Sequence, residues 1–232
     1  MDFEIKKRDL EAAKNTNEIW NHPIVQKIYQ IVGSVLGCSS IVDLFSLGLS
    51  DALTKDLRKK QEIVIEELIK SNSITEKDID DLDFLVEFSR LLEAVKRTRG
   101  NTKIKCMTDI FKGTVCNGKK EYDLYEEYLQ RIFDMSEREI DILFIMNYCE
   151  EREAENTYKD DTREARLERI WHEEKVMIKN QINIDESTLR SIISGMQRTG
   201  FCTVEYIHYA GGDVPIYLLT KYFKDFVKFI KN

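Results

Sequence analysis

Residues 185–232 switch hydrophobic period twice in a fixed order, and that order constrains the fold more than any other feature of the chain. Asp185-Glu186-Ser187 offers capping side chains ahead of Leu189, Ile192, Ile193 and Met196, which recur at helical spacing. Thr199-Gly200 ends that helix. Phe201 to His208 is rich in aromatic and β-branched residues and predicts a strand. Ala210-Gly211-Gly212-Asp213 supplies a turn, and Val214 to Leu219 predicts the returning strand, with Pro215 tolerable only at a sheet edge. Thr220 then caps a last helix, Lys221 to Ile230, with Phe223, Phe226, Val227 and Ile230 apolar.

This block resembles winged-helix domains. Met196-Gln197-Arg198-Thr199-Gly200-Phe201 follows that family's passage from helix into hairpin wing, and Tyr217-Leu218-Leu219-Thr220 follows its entry into the closing helix. The resemblance covers about residues 136–232. It implies that the helix before the wing is the one that can enter a DNA major groove. The non-core positions of that helix are Thr188, Arg190, Ser191, Ser194, Gln197 and Arg198, all able to hydrogen-bond to bases, phosphates or a protein partner. The overall layout also resembles uncharacterised bacterial proteins with a glycine-containing apolar N-terminal segment, which often accompany mobile elements or phage defence.

Upstream, only two prolines and ten glycines interrupt 232 residues, so long helices are cheap. With 42% apolar and 33% charged residues the chain can bury a core and keep a solvated surface. Residues 1–20 predict a short helix, broken by Asn21-His22-Pro23. Residues 24–53 are the most apolar stretch, with Gly33 and Gly37 at a spacing that lets helices approach closely. The 15 uncharged residues between Lys27 and Asp43 fall short of the roughly 18–20 that span a bilayer core. A buried helical hairpin is the expectation, and a membrane-acting segment over 24–50 is the rival.

Helices follow over about 54–70, 75–98, 102–115 and 121–133. Thr75 to Asp78 and Ser136 to Glu139 fit capping boxes. In the second helix Ile79, Leu82, Leu85, Val86, Leu92 and Val95 are taken as the apolar face; the Ser136 box stands directly ahead of Ile140, Leu143, Phe144 and Asn147 and predicts a further helix start there. Residues 150–166 are almost entirely charged and predict an exposed insert. The helix after it is expected to bury Leu167, Ile170, Trp171, Val176 and Ile178. The chain is therefore expected to be mainly α, with an N-terminal helical bundle over 1–134 and a winged-helix module with a two-stranded hairpin over 135–232.

Charge argues about partners. The net charge is −7, and residues 135–232 hold 14 basic against 18 acidic groups. The wing tip, Tyr209 to Asp213, has no lysine or arginine, whereas phosphate neutralisation supplies most non-specific DNA affinity. Residues 90–120 reverse the sign, with nine basic and two acidic groups. Arg90, Arg97, Arg99, Lys103, Lys105 and Lys112 are the anion-binding candidates there. The alternative is a solvated face paired with Asp78–Asp83 or Glu150–Glu155.

No chemistry-bearing motif is present: no phosphate-binding G-x-x-x-x-G-K-[ST], no G-x-G-x-x-G, no G-x-S-x-G elbow. His22, His172 and His208 lie far apart, and Trp171-His172-Glu173-Glu174 lacks the second histidine of a metal helix. The five cysteines are scattered, so neither a disulfide framework nor a zinc site is expected. Cys106 and Cys116 have lysines nearby that would lower a thiol pKa, without a base or acceptor site to use it. The N-terminus lacks a secretory h-region. These readings predict a cytoplasmic, non-enzymatic regulatory or adaptor protein with no cofactor, metal or small-molecule ligand. Its partner is expected to be another protein or a second copy; a DNA-binding regulator and a membrane-acting effector are the alternatives.

Overall fold

The computed structural model describes residues 26–27, 51–70, 78, 81–116, 122–155, 162–210 and 212–231. Most of the apolar stretch 24–53, the capping box begun by Thr75 and the turn at Asn117-Gly118 lie outside the described residues. Among the described residues the chain is mainly helical and ends in a two-stranded antiparallel hairpin and a closing helix. In order these are α1 (Asp51–Lys70), α2 (Leu82–Arg97), α3 (Asn101–Cys116), α4 (Tyr122–Asp134), α5 (Glu137–Glu155), α6 (Arg163–Ile182) and α7 (Glu186–Met196). A single 3₁₀ turn (Gln197–Thr199), β1 (Cys202–Tyr209), β2 (Gly212–Leu219) and α8 (Lys221–Lys231) complete the chain. It divides into two compact units, Met1–Leu129 and Gln130–Lys231. No described helix is long and apolar enough to cross a membrane.

In the first unit α2 starts on Asp81, whose carboxylate accepts the Asp83 amide at 3.0 Å, and carries Lys96 and Arg97 in its last turn, where they complement the helix dipole. Its buried face is Phe84, Glu87, Phe88, Leu91, Leu92 and Val95. Leu82 and Val86, expected inside, are instead exposed. The cause is phase: Phe84, Phe88, Leu91 and Val95 recur at three and four residues, and Leu82 and Val86 fall off that stripe. Phe111 of α3 sits 5.1 Å from Phe84 and 5.6 Å from Phe88, centroid to centroid, with Tyr125 a further 6.2 Å away. The Tyr125 hydroxyl donates to the Glu87 carbonyl at 3.0 Å, so the ring is buried without an orphaned donor.

In the second unit the Ser136 box forms as the spacing predicts. The Ser136 amide donates to Glu139 Oε2 at 2.7 Å, and the Glu139 amide donates to Ser136 Oγ at 3.2 Å. The charged insert needs correction, because residues 150–155 are the last turns of α5 and 163–166 the first of α6. Glu, Arg and Ala are good helix formers, and the charges there act as clamps. Glu153, 4% exposed, accepts Arg169 Nη2 at 2.6 Å, Glu150 accepts the Leu219 amide at 3.0 Å, and Glu151 pairs Lys231 at 3.0 Å. Thr162 caps α6 and Asn183, in the left-handed region at φ 56°, ends it.

The hairpin pairs Cys202 with Leu219 at its base and Tyr209 with Gly212 at its tip. Both strands run nearer the turn than the sequence suggests, since Tyr209, Gly212 and Asp213 join the ladder. Thr220 Oγ1 donates to the Gly200 carbonyl at 2.7 Å and accepts the Phe223 amide at 3.2 Å, tying the start of β1 to the start of α8. The core behind it is aromatic: Phe201 lies 5.4 Å from Phe223 and 5.1 Å from Phe226.

Candidate functional site

The candidate surface consists of α7, the 3₁₀ turn after it and the hairpin, all within the second unit. Asp185 caps α7 with both carboxylate oxygens. Oδ1 accepts the Thr188 amide at 2.9 Å and Ser187 Oγ at 2.8 Å, and Oδ2 accepts Thr188 Oγ1 at 2.7 Å. The Thr188 amide and the two hydroxyls hold the Asp185 carboxyl far below the usual carboxylate range. Leu189, Ile193 and Met196 anchor the helix to the core.

Of the six residues expected to face a partner, four are engaged within the module. Thr188 serves the cap. Arg190 donates through Nε (3.1 Å) and Nη2 (2.6 Å) to Glu186 Oε1 one turn earlier. Ser194 Oγ is 3.2 Å from the Tyr217 hydroxyl of β2. Arg198 donates to Glu139 Oε1 at 2.8 Å and Oε2 at 3.3 Å, and to the Gly195 carbonyl at 2.6 Å. Burial would raise the Glu139 pKa, but hydrogen bonds from Arg198 and from the Ser136 amide and hydroxyl outweigh it and hold this carboxyl below its ordinary value. Ser191 is exposed, and Gln197, half-buried, opens the 3₁₀ turn.

The hairpin presents aromatic surface in place of charge. Tyr206, Tyr209 and Val214 are exposed, at 56%, 45% and 37%. His208 Nδ1 lies 2.6 Å from Asp213 Oδ1 across the strands, so the tip's two charge-capable groups face each other. At the base, the Tyr217 ring packs on Trp171 at 5.2 Å.

The basic segment, in the first unit, is also largely paired. Arg90 meets Glu87 at 2.9 Å and Glu126, Arg97 meets Glu93 at 2.9 Å, Lys105 meets Glu67 at 3.4 Å, and Lys112 meets Asp109 at 2.5 Å. Arg99 is exposed and Lys103 half-buried. The sequence places these carboxylates on neighbouring helices or one turn away, so a local count of +7 overstates the field of the segment.

Two features were not legible in the sequence. Glu174, in the middle of α6, is fully buried, and neither of its carboxylate oxygens has a hydrogen-bond partner among the described residues; Trp171 Nε1, one turn earlier, is likewise buried and orphaned. Burial, and next the Glu150 carboxylate, push the Glu174 pKa well above the usual range. Val176, expected in the core, is 45% exposed at the lip of a groove between α6 and α7. Both follow from helix phase: Ile170, Trp171, Glu174 and Ile178 share the inner face, and Val176 falls outside it.

Among the described residues no cluster of three or more histidine, cysteine, aspartate or glutamate side chains is arranged to hold a metal ion. Comparison with protein-family models, curated proteins and solved structures finds no match to this chain.

Proposed function

We propose that the second unit is a winged-helix module used for protein contact, and that the chain is a non-enzymatic regulatory or adaptor protein. The observation that carries this reading is the engagement of both arginines of the helix–turn segment: Arg190 is held by Glu186 and Arg198 by Glu139. A major-groove helix needs such side chains free to reach base edges and phosphates. Here each guanidinium would have to break a charge-assisted pair first. The hairpin adds exposed tyrosines, which are enriched in protein interfaces, and no cation at its tip.

The test is fluorescence anisotropy of a labelled duplex with the full chain at about 50 mM salt, where phosphate contacts are strongest. The expected result is no salt-dependent binding. Binding that weakens on Arg190→Ala or Arg198→Ala would establish the DNA-regulator reading in its place.

A further inference from the structure

Two carboxyls meet where α5, α6 and the end of β2 pack together. Glu174 of α6 is fully buried, and neither of its oxygens is hydrogen-bonded among the described residues. Glu150 of α5 is close enough to act on it, and both of its own oxygens are engaged. Oε1 accepts the Leu219 amide at 3.0 Å, and Oε2 lies 2.9 Å from Lys224 Nζ. Leu219 is the last residue of β2 and pairs with Cys202 at the base of the hairpin. One carboxylate therefore fastens that base to α5, with α8 joined through Lys224. The other groups around Glu174 do not balance a charge on it. On α5, Cys149 is a buried thiol, Arg152 pairs with Glu173, and Glu153 pairs with Arg169. On α6, Lys175 lies over the Trp171 ring and 3.5 Å from Glu186, and His172 is exposed. On β2, Tyr217 turns its ring to Trp171, and on α8 Lys224 is held by Glu150.

From this arrangement we infer that Glu174 is a pH-sensitive release for the base of the hairpin: when its proton leaves, Glu150 gives up the Leu219 amide. Two ionised carboxylates in a site poor in water repel each other strongly. Glu150 is the one able to leave, because it is already 14% exposed and its partner Lys224 is 52% exposed. Glu174 shares the inner face of α6 with Trp171 and Ile178 and has no such path to water. The departure of Glu150 takes the acceptor from the Leu219 amide, and β2 loosens from α5. Burial, and next Glu150, raise the Glu174 pKa. The fastening is therefore in place while Glu174 keeps its proton and is lost as pH rises through the folded value. This device lies inside the second unit and operates whether the hairpin contacts protein or DNA.

The test is amide hydrogen exchange of the full chain, read residue by residue by NMR from about pH 5 to about pH 9 and corrected for intrinsic exchange. Over that range the protection of the Leu219 amide should fall about tenfold further than that of Ile193, a buried residue of α7 that reports the unit as a whole. Glu174→Gln keeps the shape of the side chain and cannot ionise, so it should abolish this extra loss. His172 and His208 remain in that variant, and the difference between the two proteins belongs to Glu174 alone. Equal losses at Leu219 and Ile193, or an extra loss that persists in Glu174→Gln, would overturn the inference. A second variant stands independently of the first. Glu150→Gln retains an oxygen for the Leu219 amide and removes the opposing charge, so the carboxyl carbon of Glu174 should titrate at a lower pH than in the parent. A midpoint that does not move would show that the two carboxyls are uncoupled, and the release would have no trigger.

Discussion

Arg198, on the turn after α7, reaches back across the module to Glu139 at the start of α5, with Nη1 2.8 Å from Oε1 and Nη2 3.3 Å from Oε2. Glu139 thereby serves two ends at once, since its Oε2 also accepts the Ser136 amide of the capping box. The first turn of α5 and the entrance to the hairpin share one carboxylate.

Arg198→Ala is accordingly expected to destabilise the second unit by about 1 kcal/mol. A charge-assisted pair is worth more than that when buried, but this guanidinium is half exposed and screened by water. Because the folded pKa of Glu139 lies below its unfolded value, its contribution is present above the ordinary glutamate range near pH 4.3 and is lost as pH falls through the folded value. Urea unfolding at pH 7 and at pH 3 checks both statements: the gap between parent and Glu139→Gln should close at the lower pH. A gap that persists would assign the pair no part in stability.

Glu174 has the opposite sign. Its folded pKa is raised, so the protonated form suits the core, and stability attributable to it is present below the unfolded pKa and lost as pH rises through the folded value. Glu174→Leu fills the same space without a carboxyl lacking partners and should stabilise the unit by about 1–3 kcal/mol near neutrality. The gain should grow between pH 5 and pH 9, as read by thermal melts across that range. A destabilising Glu174→Leu at pH 8 would mean that the carboxyl does have a partner.

The sequence discloses local features of this module and conceals its long-range pairs. The Ser136–Glu139 box, the Asp185 cap and the strand–turn–strand of 201–219 each depend on neighbours within a few residues, and each forms as the local sequence predicts. The partners of Arg198 and Arg169 are another matter, because Glu139 and Glu153 lie on other elements and no spacing rule connects them. For the same reason 150–155 look like a solvated insert: a run of charges has one appearance whether it faces water or clamps three elements together. Glu174 stayed hidden because it follows another glutamate in a charged helix, and only the phase set by Trp171 and Ile178 turns it inward. The apolar stretch 24–50, so prominent in the sequence, falls almost entirely outside the described residues.

Gly200 closes the 3₁₀ turn at φ 73°, a conformation that L-residues with a side chain adopt at a cost. An added Cβ would meet Arg131 Nη1 at 3.8 Å and Tyr222 Cδ1 at 3.9 Å, both ordinary contacts, so space is not the issue. Gly200→Ala should therefore cost about 1–2 kcal/mol through the backbone alone, and Gly200→Asn should cost less, since asparagine tolerates this region. Equal losses for the two variants, measured by denaturant midpoints at constant slope, would locate the penalty in packing instead.

The thiols bear on whether any nucleophile is poised for catalysis. Lysines near Cys106 suggest a lowered thiol pKa from sequence, but burial, and next the Asp109 carboxylate, raise it beyond the range in which thiolate forms in water. Burial is also the first cause at Cys202, pushed up to about 12, and at Cys149, pushed up to about 11, where Glu174 adds to it. At pH 8 the Cys149 thiolate is then about a thousandth of the population, and its sulfur packs 3.4 Å from Met177 Sδ. Iodoacetamide at pH 8 should leave these three cysteines unmodified in the folded chain on the timescale that labels a free peptide thiol, and should label all three at once when urea unfolds the protein. Peptide mapping by mass spectrometry reads this directly. Selective labelling of Cys149 or Cys202 in the folded state would reveal an accessible thiolate, and with it a nucleophile that the non-enzymatic reading has no place for.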